Sequence, residues 1–279
     1  MSMLVCRNGT FIPHEDASLP INDGGFLFGD TLFETLKAKG GNILLPQQHL
    51  DRLEHSAKLL NFPFRRDRIE TSLQQLANAL TAPASRIRLT LSRGSHSGLN
   101  LPAAEDGWFL LTAVPYAELG EEERNAGATC VLAPNRRVNP LSHLPQMKRG
   151  NYADCLYAAD FARRQGAREA LFIDDDGRLL EGATSNLFAL HDGRLITPPL
   201  DTLVLAGIMR RQVIDAATEL GLLVVERELL LTELPAAEEA FLCNSLIDLL
   251  PVNSIDGQTI NRGNSWRSIL KTLRMRIET

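Results

Sequence analysis

Four stretches of the sequence hold residue types able to do chemistry. Lys148 lies in Pro145-Gln-Met-Lys-Arg-Gly-Asn151, where a proline-rich loop gives way to a helix. A lysine held there in a partly desolvated pocket frees its amine for Schiff-base chemistry, although most lysines are solvated surface groups. Glu181 ends a strand and opens the small polar run Gly182-Ala183-Thr184-Ser185-Asn186. That run lets a flat ligand approach the backbone, and it suits a tight sheet turn with an exposed carboxylate equally well. Gly207-Ile208-Met209-Arg210 opens another helix, where unpaired N–H groups and the positive helix end suit a phosphate or simply water. Arg52, three residues after His49, is either an anion ligand or an exposed helix charge.

The elements that position these residues belong to an ordinary globular chain. Its 279 residues are enough for one large domain or two smaller ones. Apolar residues at 44% and charged ones at 23% argue against disorder. With 29 basic and 34 acidic residues the net charge is −5, so the concentrated basic surface that generic nucleic-acid binding needs is not expected. The opening residues 1–16 hold no apolar signal segment, and no run reaches the ~18 apolar residues of a membrane span, so a cytoplasmic protein is expected. Cys6, Cys130, Cys155 and Cys243 are scattered without a CxxC pair, and the six histidines form no HExxH. Reduced thiols and no metal follow. The chain also lacks the P-loop, the dinucleotide-binding glycine pattern and the GxSxG elbow.

Strands are expected over 3–6 and 9–12 about Asn8-Gly9, and over 33–38 and 43–45 about Gly40-Gly41. Apolar spacing predicts helices over 46–60 and 68–82, with strands at 87–92 and 108–113 following. The polar stretch 115–127 is taken as a linker between a small domain, 1–114, and a larger one, 128–279, carrying Lys148. The second domain is expected to open with a strand at 128–132 and a helix at 150–165 burying Leu156, Ala159 and Ala162. Hairpins turn at Asp176-Gly177 and Asp192-Gly193, and a helix over 206–220 stops at Gly221. Further strands at 222–225, 240–243 and 249–252 and a closing helix at 266–275 complete an α+β or α/β fold with mixed sheets in two lobes.

Taken in order, the motifs resemble the class IV, fold-type IV pyridoxal phosphate enzymes. This group includes the branched-chain and D-amino acid aminotransferases and aminodeoxychorismate lyase. The resemblance rests on Phe28-Gly29-Asp30-Thr-Leu-Phe-Glu34, His49-Leu-Asp-Arg52, Lys148-Arg-Gly-Asn151 and Glu181-Gly-Ala-Thr-Ser-Asn186. It continues through Thr197-Pro-Pro-Leu200, Gly207-Ile-Met-Arg210, Cys243-Asn-Ser245 and Pro251-Val252. It implies pyridoxal 5'-phosphate as cofactor, with Lys148 forming the imine and then serving as base. It also implies that Glu181 faces the pyridine nitrogen and deepens the electron sink. Arg52 and the N–H groups of Ile208 and Met209 match the phosphate ligands. Thr184, Ser185 and Asn186 match a cofactor-contacting turn, and Ser245 matches a residue beside the phosphate. Many relatives carry a hydroxyl where Met209 stands, so one phosphate hydrogen bond is expected to be missing.

For the substrate, the resemblance assigns contacts to Phe33, Arg93 and His96, with Arg136 and Arg137 as further cations. The two-residue gap between Lys148 and Asn151 is similar to D-amino acid aminotransferases and lyases, and Cys243-Asn244-Ser245 is similar to the lyases. Together they favour 4-amino-4-deoxychorismate lyase, which releases pyruvate and 4-aminobenzoate for folate synthesis. An amino-acid aminotransferase of D-amino acid or branched-chain type is the alternative, and an inactive scaffold dimer a remote one. The family resemblance further implies a homodimer acting on a small amino-group substrate, with no nucleic acid or membrane partner.

Overall fold

Asn8 and Gly9, at φ 49° and 89°, fold β1 (Leu4–Arg7) back on β2 (Thr10–Ile12), the left-handed turn that this dipeptide favours. The computed structural model describes residues 3–102, 104–138, 147–200 and 203–278. The chain divides into two units, Met1–Glu118 with Met147–Tyr152, and Leu119–Gln146 with Ala153–Thr279.

The first unit contains α1 (Gly24–Phe28), β3 (Thr31–Lys39), β4 (Asn42–Ile43) and α2 (Pro46–Leu60). It continues with α3 (Arg66–Ala79), β5 (Ala84–Ser92) and β6 (Trp108–Pro115). Its strands form an antiparallel sheet in the order β2-β1-β6-β5-β3-β4. Leu50, Leu53 and Ala57 of α2 and Ile69, Leu73 and Leu76 of α3 recur at helical spacing and join Leu32, Leu36, Ile87, Leu89 and Leu111 in one core. Truncating one such leucine to alanine costs about 2–5 kcal/mol. In β3 both faces are buried, so simple alternation fails there: Glu34 and Lys37 are 1% exposed. Even-numbered Leu32, Glu34 and Leu36 share one sheet face, because side chains alternate along a strand.

The second unit opens with α4 (Glu121–Ala126), β7 (Ala128–Leu132) and α5 (Ala153–Arg164). It goes on through β8 (Glu169–Ile173), β9 (Arg178–Gly182), β10 (Asn186–His191) and β11 (Arg194–Thr197). Then come α6 (Ile208–Glu219), β12 (Leu223–Glu226), β13 (Leu229–Leu230) and β14 (Glu239–Asn244). β15 (Asp248–Ile255), β16 (Gln258–Thr259) and α7 (Ser265–Ile277) close the chain. Its mixed sheet runs β12-β11-β10-β14-β15-β7-β8-β9-β13, with β16 on β15. The pairs β11/β12, β15/β7 and β7/β8 are parallel and the others antiparallel.

Three features differ from the sequence reading. The stretch 115–127 is not a featureless linker. Tyr116 N donates to Ala84 O in the first unit, and α4, whose first turn is all glutamate beside a positive helix end, starts the second. The face of α5 that packs inward is Cys155, Ala158 and Ala162, whereas Leu156 is 71% exposed; the phase of the helix is one residue off the expected one. Residues 147–152 group with the first unit because Phe33 N donates to Lys148 O at 2.9 Å and Gly150 N to Thr31 O at 2.8 Å. Of the proline-rich stretch before Lys148, 139–146 lie outside the described residues.

Candidate active site

In the first unit the chemistry gathers on β3, α2 and the segment that carries Lys148. Backbone bonds at Lys148 O and Gly150 N fix the segment to β3, and the approach is close enough to demand glycine. A Cβ on Gly150 would lie 1.8 Å from Thr31 Oγ1. Lys148 Nζ stands 4.7 Å from the Phe33 ring centre and 5.3 Å from that of Tyr152, and the two rings meet edge to face at 5.4 Å. Aromatic walls attract a cation and shed water from the amine. The Arg88 guanidinium lies 3.8 Å from the Phe33 centre, so one ring carries both a lysine and an arginine.

Glu34 organises the neighbouring helix face. Arg52 donates to it from Nε at 2.8 Å and from Nη2 at 2.6 Å, while His49 Nδ1 lies 2.7 Å from its Oε2. His49 and Arg52, three residues apart on α2, project from one side of the helix, and the bidentate fork fixes the guanidinium plane. Burial alone would push the Glu34 carboxyl up; the Arg52 charge and the His49 hydrogen bond outweigh it and hold it at about 2. Burial, joined by the Arg52 and Lys148 charges, holds His49 below its ordinary value against the pull of Glu34. A neutral imidazole facing a carboxylate carries its proton on Nδ1 and donates it.

Arg93 and His96 gather around Asp30. Arg93 Nε donates to Asp30 Oδ2 at 2.8 Å and Nη1 to Asn61 O at 2.8 Å, with the guanidinium 3.8 Å from the Phe62 ring centre. These partners tie Arg93 into the fold. His96 packs edge to face on Phe28 and sits where a Cβ on Gly24 would be, its Nε2 3.8 Å from Asp30 Oδ2.

In the second unit a hydrogen-bonded group ties Glu181 to the start of α6. Glu181 Oε2 accepts from Leu205 N at 2.9 Å and Asn186 Nδ2 at 3.3 Å, and Asn186 Nδ2 also donates to Leu205 O at 2.9 Å. Its Oε1 accepts from Arg137 Nε at 3.2 Å, and Arg137 Nη1 reaches Asp154 at 2.7 Å. Arg137, a cation considered for substrate, is thus held between two carboxylates. Arg136 pairs with exposed Asp175. Gly207 caps α6 without a side-chain hydrogen bond, and among the described residues no side chain caps the first-turn N–H groups of Ile208 and Met209. A Cβ on Gly207 would fall 2.0 Å from Asn186 Oδ1, so the cradle admits glycine. Met209 is buried.

The turn after Glu181 has its own anchor. Buried Glu169 Oε2 accepts from Thr184 Oγ1 at 2.7 Å and Ser185 Oγ at 2.9 Å, and burial pushes its carboxyl up. Asn244 Nδ2 donates to Thr184 O at 3.1 Å while its Oδ1 accepts from Leu246 N and Ile247 N, each at 2.9 Å. The turn bearing Ser245 is thereby joined to the one bearing Thr184. Arg88, Tyr152 and Glu169 are not singled out by the sequence, and Glu34 enters there only as the end of a motif, with no role. The one available signal was an acid inside the apolar strand run at 31–36, with His49 and Arg52 on one face of the next helix.

The family described as amino-transferase class IV matches residues 31–255. The chain belongs to the class IV aminotransferase family. Over 263 residues it is 33% identical to a putative branched-chain-amino-acid aminotransferase of Methanocaldococcus jannaschii, covering 93% of this chain and 90% of that protein. A D-alanine aminotransferase of Listeria monocytogenes is 29% identical over 94% of this chain and 90% of its own length. The crystal structure of 4-amino-4-deoxychorismate lyase from Pseudomonas aeruginosa superposes with a TM-score of 0.88 at 28% identity, covering 98% of each chain. The mixed-sheet, fold-type IV architecture is therefore that of the family, and pyridoxal phosphate is its cofactor. The donor set fits that group. The second unit offers a helix N-terminus with a glycine-only cradle that suits a phosphate and a buried carboxylate that suits a ring nitrogen, and the first unit offers an amine walled by aromatic rings.

Proposed function

We propose that this enzyme transfers amino groups between amino acids and 2-oxo acids, with Lys148 as the residue that bonds the cofactor. The observation that carries the reading is the Lys148 amine set against Phe33 and Tyr152 on a backbone locked to β3. Relatives that align over more than nine-tenths of this chain are named a putative branched-chain-amino-acid aminotransferase and a D-alanine aminotransferase, which favours amino transfer.

Pyridoxal phosphate supplies, when bound, an aldehyde that takes up amino groups and a ring that spreads the negative charge left on carbon when a proton departs. The chain's own residues do the rest. Lys148 Nζ takes the proton from the substrate's α-carbon and returns it. Glu181, with Arg137 and Asn186 fixing its oxygens, holds a proton on the pyridine nitrogen. Arg52, oriented by Glu34, and the N–H groups of Ile208 and Met209 bind phosphate, with Thr184, Ser185, Asn186 and Ser245 shaping the contacting turns. Phe33 presents an apolar wall to the substrate, and Arg88 beside it binds a carboxylate. Arg93 and His96 act behind them by holding the 93–96 loop on Asp30.

A specific observation supports a second reading, elimination of pyruvate from 4-amino-4-deoxychorismate. Cys243-Asn244-Ser245 matches the lyase pattern, and Asn244 is the residue that ties the Ser245 turn to Thr184. Assay with a panel of D- and L-amino acids and with aminodeoxychorismate separates the two. Strict dependence on a 2-oxo acid acceptor is expected; pyruvate released without an acceptor would replace amino transfer by elimination. A homodimer belongs to the proposal, because Ile21, Phe26, Leu27 and Phe28 all expose apolar side chains along one short stretch, a feature that suits a protein–protein contact. Light scattering at a single-protomer mass would remove it. A cytoplasmic setting suits four buried, unbridged thiols, and among the described residues no helix is long and apolar enough to cross a membrane.

A further inference from the structure

A cavity of about 490 Å³ opens in the second unit where α4 meets α7. Its volume falls in the range of small-molecule sites, roughly 300–1,000 Å³. Leu119, Trp266, Leu270 and Met275 supply apolar walls. Behind them Asp248, fully buried, faces two guanidiniums, Arg274 Nη2 at 3.3 Å and Arg124 Nη2 at 3.7 Å. On the wall, Arg267 is fixed by Asn125 Oδ1 at 2.8 Å and stacks 4.5 Å from the Trp266 ring centre. Lys271, four residues on and on the same helix face, has no partner among the described residues. With Glu121 and Glu278 at the margin, the four cations Arg124, Arg267, Lys271 and Arg274 face the three acids Glu121, Asp248 and Glu278. Asp248 lies behind the lining, and counting it the cavity keeps one positive charge in surplus, on a chain whose net charge is −5.

We infer that this cavity binds a small organic monocarboxylate with an aromatic or branched apolar body. The apolar part lies against Trp266, Leu270 and Met275, and the carboxylate meets Lys271 and the Arg274 edge. Size, wall chemistry and a surplus of one positive charge each point to the same class of ligand, because a pocket of this kind takes an apolar body oriented by a few charged groups. None of these residues takes part in the proposed catalytic chemistry, so the inference stands apart from that reading.

The test is a titration of the holoenzyme with 3-phenylpropionate, followed by isothermal calorimetry and by Trp266 fluorescence in a Trp108→Phe background. Its uncharged amide is the control. Two variants report the site: Lys271→Glu, on the exposed face, and Met275→Arg, which fills the cavity; circular dichroism and turnover check that each is folded. Saturable binding is expected, with the amide and Lys271→Glu each weakening it by about tenfold or more and Met275→Arg abolishing it while turnover is unchanged. Absence of binding, equal binding of acid and amide, or binding untouched by both variants would overturn the inference. So would a change of molecular mass in Met275→Arg, which would assign the cavity to contact with a second copy of the chain.

Discussion

Replacing Glu34 by glutamine keeps the shape of the side chain and removes the charge that faces Arg52 and His49. The carboxyl is held at about 2 against an ordinary 4.5, which corresponds to roughly 3 kcal/mol of stability at neutral pH. The sign follows from linkage. A carboxyl whose folded value is depressed contributes in full above its unfolded value, and the contribution is lost as pH falls from about 4.5 towards about 2. His49 adds to the acid sensitivity: its folded value lies below 6.5, so the unfolded chain takes up that proton first as pH drops. Glu34→Gln should therefore lie below the parent by about 3 kcal/mol at pH 7.5 and by about 2 kcal/mol at pH 3.5, where part of the parent's advantage has gone. Urea unfolding read by Trp108 fluorescence in a Trp266→Phe background isolates the first unit, since the chain's two tryptophans fall one in each. A variant as stable as the parent at pH 7.5, or a gap that stays constant down to pH 3.5, would refute the reasoning.

Other perturbations probe the remaining parts. Gly207→Ala puts a methyl 2.0 Å from Asn186 Oδ1 and should raise the dissociation constant for pyridoxal phosphate about tenfold or more; equilibrium dialysis showing unaltered affinity would remove α6 from phosphate binding. Glu181→Gln should keep the fold and lower kcat by about 10²–10³, so a parental rate would contradict its role at the ring nitrogen. Gly150→Ala, with its methyl 1.8 Å from Thr31 Oγ1, should displace the Lys148 segment and lower both stability and cofactor uptake, by melting and absorbance. All four thiols are buried and burial pushes Cys243 up to about 12, so a thiol reagent at pH 8 should find none until the chain is denatured.

Much of this was legible in the sequence where local chemistry decides the backbone. Asn8-Gly9, Gly40-Gly41 and Asp192-Gly193 all adopt positive φ at the turns expected of them, and α2 spans the predicted residues because its apolar spacing and opening Pro46 agree. Residues that depend on tertiary enclosure were harder to read. Glu34 looks like a misplaced acid in a strand until α2 brings His49 and Arg52 over it. Arg93 reads as a free cation for substrate until Asp30, Asn61 and Phe62 surround it. Hydrophobicity points Leu156 inward, whereas α5 buries Cys155, Ala158 and Ala162 and leaves Leu156 in solvent. The candidate site was legible as ordered motifs, since Lys148, Glu181 and Gly207 each stand in short runs that the backbone geometry needs. Their supporting carboxylates, Glu34 and Glu169, have no such local signature.

The central claim is that Lys148 is the amine that joins the cofactor. Borohydride reduction of the holoenzyme, followed by tryptic digestion and mass spectrometry, measures this directly. The account predicts a phosphopyridoxyl group on the peptide containing Lys148, and none after Lys148→Ala. A label on any other lysine, or unlabelled protein with full turnover, would contradict it.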